Sequence, residues 1–335
     1  MLKSVELLIS LGYSKKDAEE ITSSYQLANF KDETLCKNIN DNYNYLKELG
    51  YCENDIIKMT KVSPSLYGYS KETIKEKIAF LISLGYTKSD VIKMTKRLAT
   101  LFCLSKENIK DKIAFLISLG YGMPDIMKMT KSFPSLYNFS KENIEEKITF
   151  LISLGYTKLD VIKMTKSLPS LFGLTKYIIE KKISFFINLG YNMVDIIKMA
   201  KILPTLYSLS KENIEDKITF LISLGYTKPD VINMTKILPT LYSLSKETIE
   251  EKIRYLRDIG LEDIVINDTR QLIQSVFLTY ARYEFLTKEK GIIIDESNYR
   301  KLFCGETNFK KQYGVSKNVL LKKYSYEKYK GSIKS

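Results

Sequence analysis

The tripeptide Leu-Gly-Tyr recurs at 49–51, 84–86, 119–121, 154–156, 189–191 and 224–226, and Ile259-Gly260-Leu261 follows in the same phase. From Gly50 to Gly260 the interval is always 35 residues; one earlier copy, Leu11-Gly12-Tyr13, lies 38 residues ahead of Gly50. A fixed period of this length marks a tandem array of small supersecondary units. Each is too small to bury its own apolar face, so it stacks on its neighbours. This outranks the prior from the 335-residue length, which alone would suggest one large core or two to three average domains.

One unit reads from Ser70 to Ser105. Ser70 is a good N-cap, and Glu72 puts negative charge in the first turn. Ile74, Ile78, Leu81 and Ile82 then fall on one face of a helix. Gly85 supplies the left-handed residue that ends many helices. Thr87 and Asp90 form a capping-box start for a second helix, repeated as Thr157/Asp160 and Thr227/Asp230. Val91, Met94, Thr95 and Leu98 form its inward stripe. Pro64, Pro134, Pro169, Pro204 and Pro239 close most second helices, with Ala99 the exception. A proline ends an α-helix but starts a new turn readily, so a short 3-10 turn is expected there. The fold expected is all-α: an α-solenoid of 35-residue repeats, each of two α-helices and a 3-10 turn. Residues 1–48 read as an N-terminal capping repeat with a spacer and 49–261 as the repeat array. Residues 262–335 read as a helical, basic C-terminal cap with a frayed end, the last dozen residues being the least ordered.

The formal net charge is +13, and the excess sits in the middle repeats and in residues 281–335, which carry +7. A localised positive field is the footprint of a polyanion ligand. The chain has no histidine, and Cys36, Cys52, Cys103 and Cys304 show no C-x-x-C spacing. Neither a zinc site nor a disulfide framework is expected, and the thiols read as reduced. Phosphate-loop, dinucleotide and nucleophile-elbow motifs are all missing from the sequence, and the carboxylates recur as caps instead of forming one special pair. No enzyme, metal or cofactor is therefore expected. No apolar run is long enough for a membrane span. The N-terminal residues resemble neither a signal peptide nor an Arg-rich transit peptide. An intracellular protein is expected, cytoplasmic or nucleoid-associated, and organellar only if a presequence precedes this chain.

The second helices carry the most informative charge. Lys58/Lys61, Lys93/Lys96, Lys128/Lys131, Lys163/Lys166 and Lys198/Lys201 repeat at i, i+3; the next copy is Asn233/Lys236, and Arg97 extends one pair. Stacked, these make a ladder of positive charge suited to regularly spaced phosphates; the bland alternative is a solvated helix face. A first-helix column, Lys77, Lys112, Lys147, Lys182, Lys217 and Lys252, follows an acid in five of six copies, which suggests local neutralisation. Tyr51, Tyr86, Tyr121, Tyr156, Tyr191 and Tyr226 each follow the helix-ending glycine, where an apolar residue seals the turn; packing between units is favoured over base stacking. The methionines at 59, 94, 129, 164, 199 and 234 read as core filler.

Residues 201–226 bring these elements together: Pro204-Thr-Leu-Tyr207, Leu209-Ser-Lys-Glu-Asn-Ile214, then Leu224-Gly-Tyr226. This pattern resembles the mitochondrial transcription termination factor (mTERF) family, over roughly residues 45–315. The tail adds Thr279-Tyr-Ala-Arg282-Tyr-Glu-Phe-Leu286, which looks like the family's C-terminal arginine segment, and Asn308-Phe-Lys-Lys-Gln-Tyr313. The resemblance implies a left-handed superhelix that binds duplex DNA, or structured RNA, along a basic groove, and it adds Arg282 to the candidate contacts. Family contacts are largely arginines, whereas here lysine fills the repeated columns and gives point-charge phosphate contact without bidentate base reading. The expected partner is nucleic acid, duplex DNA before RNA, bound by a monomer in a role in transcription or gene expression. The alternatives are a protein-interaction scaffold and an RNA-binding repeat protein.

Overall fold

The structure is a computed structural model that describes residues 2–333, with side chains described through Lys330. Eight helix pairs run along the chain. They are α1 (Lys3–Ser10) with α2 (Lys15–Thr22), α3 (Asp32–Leu49) with α4 (Glu53–Val62), α5 (Lys71–Ser83) with α6 (Lys88–Arg97), and α7 (Lys106–Leu119) with α8 (Met123–Ser132). Then come α9 (Lys141–Ser153) with α10 (Lys158–Ser167), α11 (Lys176–Leu189) with α12 (Met193–Ile202), α13 (Lys211–Ser223) with α14 (Lys228–Ile237), and α15 (Lys246–Asp258) with the shortened α16 (Ile264–Asn267). The C-terminal segment adds α17 (Val276–Glu284), α18 (Arg300–Phe303), α19 (Glu306–Tyr313), α20 (Lys317–Lys323) and α21 (Tyr326–Ile333). No strand occurs among the described residues. The chain is an α-solenoid that falls into two compact units, residues 1–176 and 177–335.

The local chemistry explains the pattern. Ser70, Ser105, Ser140, Ser210 and Ser245 each accept a hydrogen bond from the backbone N–H three residues on, capping a first helix. The glycines of the repeated Leu-Gly-Tyr hold φ near +105°, from +103° at Gly50 to +110° at Gly190, where any side chain would be strained. Thr87 and Asp90 close a full capping box at α6, as do Thr157/Asp160 and Thr227/Asp230. Turns of 3-10 helix begin at Pro64, Pro134, Pro169, Pro204 and Pro239, and at Ala99, which takes the proline's place.

Past Gly260 the same plan continues in reduced form: α16 has four residues and leads into a 3-10 turn, Thr269–Ile273. Thr269 opens that turn where most repeats have proline, and its hydroxyl donates to Val265 O four residues back. The turn starts nine residues after Gly260, against fourteen from Gly225 to Pro239, and this shortening hides the repeat from a search at a strict 35-residue period. The end expected to fray forms α21 through Ile333, and residues 334–335 lie outside the described residues.

The core runs as columns. Met59, Met94, Met129, Met164, Met199 and Met234 are all at most 3% exposed. Fully burying such a side chain stabilises by about 1.5–3 kcal/mol. The Leu-Gly-Tyr tyrosines are buried too, and the hydroxyls of Tyr51, Tyr86, Tyr121 and Tyr191 reach the next repeat, whereas that of Tyr226 finds no partner among the described residues. Tyr51 contacts Thr95 at 2.6 Å, Tyr86 contacts Thr130 at 2.6 Å, and Tyr121 contacts Thr165 at 2.6 Å. Each of these threonines spends its one proton on the carbonyl four residues back, so the tyrosine is the donor. Burial pushes the Tyr51 and Tyr121 hydroxyls up to about 12. These rings bind repeat to repeat and present no face to a base.

Candidate nucleic-acid interface

Within residues 1–176 the second helices α4, α6, α8 and α10 pack on one another in order, and α12 packs on α14 in residues 177–335. Within each unit the lysines at a given position of these helices therefore lie in a row. The structure divides the expected ladder into two rows with different fates.

The row at the i+3 position is clamped to the preceding repeat. Lys61 pairs with Asp17 at 2.7 Å, Lys96 with Asp55 at 2.5 Å, Lys131 with Asp90 at 2.9 Å, Lys166 with Asp125 at 2.6 Å and Lys236 with Asp195 at 2.8 Å. Lys201 is partnered as well. The carboxylates are the capping residues of the second helices: Asp90 also accepts from Thr87 N at 3.0 Å and Asp125 from Gly122 N at 3.3 Å. One side chain thus caps its own helix and holds the next. The lysine hydrogen bond, before any other contribution, pulls the carboxyls of Asp17, Asp90 and Asp125 below the usual range.

The other row is free. Lys58, Lys93, Lys128 and Lys163 are exposed in the first unit and Lys198 in the second, and none has an ion pair among the described residues. In the first unit, four ammonium groups recurring at one helix position, with no acid drawn to them, make a surface suited to a polyanion.

Two arginines depart from expectation. Arg97 extends to the next repeat, where its Nη1 donates to Lys131 O at 3.2 Å and Ser132 O at 3.1 Å, serving the carbonyl end of α8. Arg282 was expected at the nucleic-acid surface and instead lies inside the C-terminal segment, 1% exposed. Its Nη1 donates to Leu302 O at 2.8 Å and Cys304 O at 2.7 Å, and the guanidinium sits 4.3 Å over the Phe309 ring. Burial lowers its pKa, and its role is to hold α17 against the segment that leads into α19. A lone arginine among aromatic and apolar residues does not reveal in sequence which backbone carbonyls it will meet.

The first-helix lysines also differ from expectation. They are not neutralised by the preceding acid. Lys77 donates to Leu104 O at 2.9 Å, 27 residues on. Lys112, Lys147, Lys182 and Lys217 donate likewise to Phe139, Leu174, Leu209 and Leu244, and Lys252 to Leu272. Burial lowers the pKa of each. These carbonyls end the 3-10 turns, and a lysine ammonium satisfies them where water is excluded. The offset is 27 residues in the first five pairs and 20 for Lys252, where the repeat is shortened.

A tandem array of two-helix units with prolyl 3-10 turns defines an α-helical repeat protein. The mTERF family model matches residues 1–142 and 136–267, and the chain belongs to the mTERF family, non-enzymatic repeat proteins that bind nucleic acid. No curated protein matches the chain.

Proposed function

We propose that this protein binds duplex nucleic acid, DNA in preference to RNA, through the exposed row Lys58, Lys93, Lys128, Lys163 and Lys198, and regulates transcription by occupying its site. The observation that carries this reading is the separation of the lysines into clamped and free rows: the free row has no structural task. Lysine contacts phosphate as a point charge, so sequence preference would come chiefly from duplex shape and not from base edges. At ~10 Å per repeat, the four repeats of the first unit that carry Lys58, Lys93, Lys128 and Lys163 would follow ~40 Å of duplex, about 12 base pairs.

The test is fluorescence anisotropy with duplex DNA, duplex RNA and single strands across a salt series. Phosphate tracking makes log affinity fall linearly with log salt. Replacing Lys93, Lys128 and Lys163 with glutamine should make that slope shallower by about 0.9 per lysine on DNA. Failure to bind any of these polyanions at low salt, or a slope unchanged in the triple variant, would overturn the reading. Tighter binding to duplex RNA would reverse the order of ligands.

A further inference from the structure

The exposed surface of the first helices has a different character. Its lysine column is withdrawn to the carbonyls, which leaves acids in the open. On α9 these are Glu142, Glu145 and Glu146, which with Thr149, the half-exposed ring of Phe150, Ser153 and Lys176 line an open groove of about 420 Å³. Lys176 lies 5.9 Å over the Phe150 ring and makes no ion pair with the three carboxylates among the described residues.

The equivalent surface three repeat periods later, on α15, is covered by the chain itself. Helix α21 lies across it: Lys330 Nζ donates to Glu251 at 2.6 Å and Tyr329 OH donates to Asp258 at 3.1 Å. The rings of Tyr326 and Tyr329 sit edge-on to Tyr255, at 5.6 and 5.7 Å between centroids. Glu251, Tyr255 and Asp258 correspond to Glu146, Phe150 and Ser153. Under α21 the Tyr255 side chain is 1% exposed, whereas its counterpart Phe150 stays half-exposed. Lys330 also takes a place that the repeats fill differently. In two repeats the lysine that opens the next first helix meets this acid: Lys106 meets Glu76 at 3.2 Å and Lys246 meets Asp216 at 2.6 Å. After α15 that opening residue is Val276.

We infer that the groove on α9 is a protein-docking site for a basic, aromatic helix of a partner protein, one that presents two aromatic rings a turn apart and an adjacent lysine, as α21 does on α15. Three carboxylates against one lysine give the groove a local charge opposite to that of the whole chain. The aromatic floor supplies apolar area, and the partner's lysine completes the pairing that Glu146 lacks. Binding there leaves the second-helix lysines uncovered, so such a partner and nucleic acid can be held together.

The probe is a fluorescent peptide of residues 322–335, titrated into the full chain at low and high salt. The peptide and the chain are both positively charged, so saturable binding reports a local site and not bulk attraction. Binding should weaken by at least ~10-fold in the Glu145→Lys/Glu146→Lys protein, whose exposed substitutions leave its circular dichroism unchanged. It should also weaken in a peptide with both tyrosines equivalent to Tyr326 and Tyr329 replaced by serine. Absence of binding would overturn the inference. So would binding that survives the Glu145/Glu146 reversal and disappears in Glu251→Lys, because the peptide would then be exchanging with α21.

Discussion

Lys112 and Lys128 lie sixteen residues apart in one repeat and carry the same side chain, yet they do opposite things. The first sits on α7, is 6% exposed, and hands its ammonium to the carbonyl of Phe139 at the end of its own repeat. The second sits on α8 in full solvent and touches no acid among the described residues. Three positions on, Lys131 is a third kind, exposed enough to be wetted but clamped to Asp90. Period and residue type are identical in all three columns. What separates them is which atom the fold places opposite: a buried carbonyl of the same repeat, a capping carboxylate of the preceding one, or water. A repeated basic residue is therefore evidence of a binding surface only after its neighbours have been checked for an acceptor.

That contrast can be broken most sharply by exchanging the roles of the columns. Lys112→Met or Lys147→Met strands a buried carbonyl and should cost about 1–3 kcal/mol each in urea unfolding, with duplex affinity kept. Lys128→Gln and Lys163→Gln should do the reverse, with affinity reduced and stability unchanged to within about 0.5 kcal/mol. If both sets of variants lose stability, the free row has a structural role after all. Thr130→Val removes the acceptor of Tyr86, whose hydroxyl also meets Tyr137 at 2.8 Å. It should destabilise by about 1 kcal/mol or somewhat more, read as a lower thermal midpoint. The clamp is weaker: Lys131→Met should cost only about 0.2–1 kcal/mol, because the pair is partly exposed and screened by salt.

The smallest effect is in pH. Asp17, Asp90 and Asp125 titrate lower in the folded chain than when unfolded, where an aspartate has a pKa of about 3.9. The folded state therefore gains stability from them above that value, and the gain is lost as pH falls from about 4 through the folded pKa values. Lys131→Met should flatten the Asp90 part of that loss, measured as the change in denaturation midpoint between pH 7 and pH 3.

The sequence made the repeat legible because its determinants are local. A serine cap, a glycine at positive φ, a Thr-x-x-Asp box and a helix-ending proline each act within four residues of themselves, and all took the expected form. Met94 and Tyr86 were readable as core for the same reason: helix period and the position after a glycine place them inward. The lysines were not sortable, because their partners lie far along the chain, 27 residues on for Lys77 and 41 back for Lys131. Glu76 beside Lys77 and Asp111 beside Lys112 suggested neutralisation along the chain, whereas the side chains reach across it. Asp90 was legible as a cap but not as the anchor of Lys131. Arg282 was carried over by resemblance of a segment, and only the packing of Phe309 and the carbonyls around it shows its task.

The reach of these contacts also bears on how the chain is made. The first-helix lysines find their carbonyls 27 residues on, the tyrosines their threonines 44 residues on and, at Tyr86, a second tyrosine 51 residues on. Nothing in that set waits for the far end of the polypeptide. A repeat leaving the ribosome can lock as soon as the following one and a half units have appeared, and each locked repeat then becomes the template for the next. Assembly can therefore keep pace with translation, from the N-terminus onward, with only the most recent unit exposed at any moment.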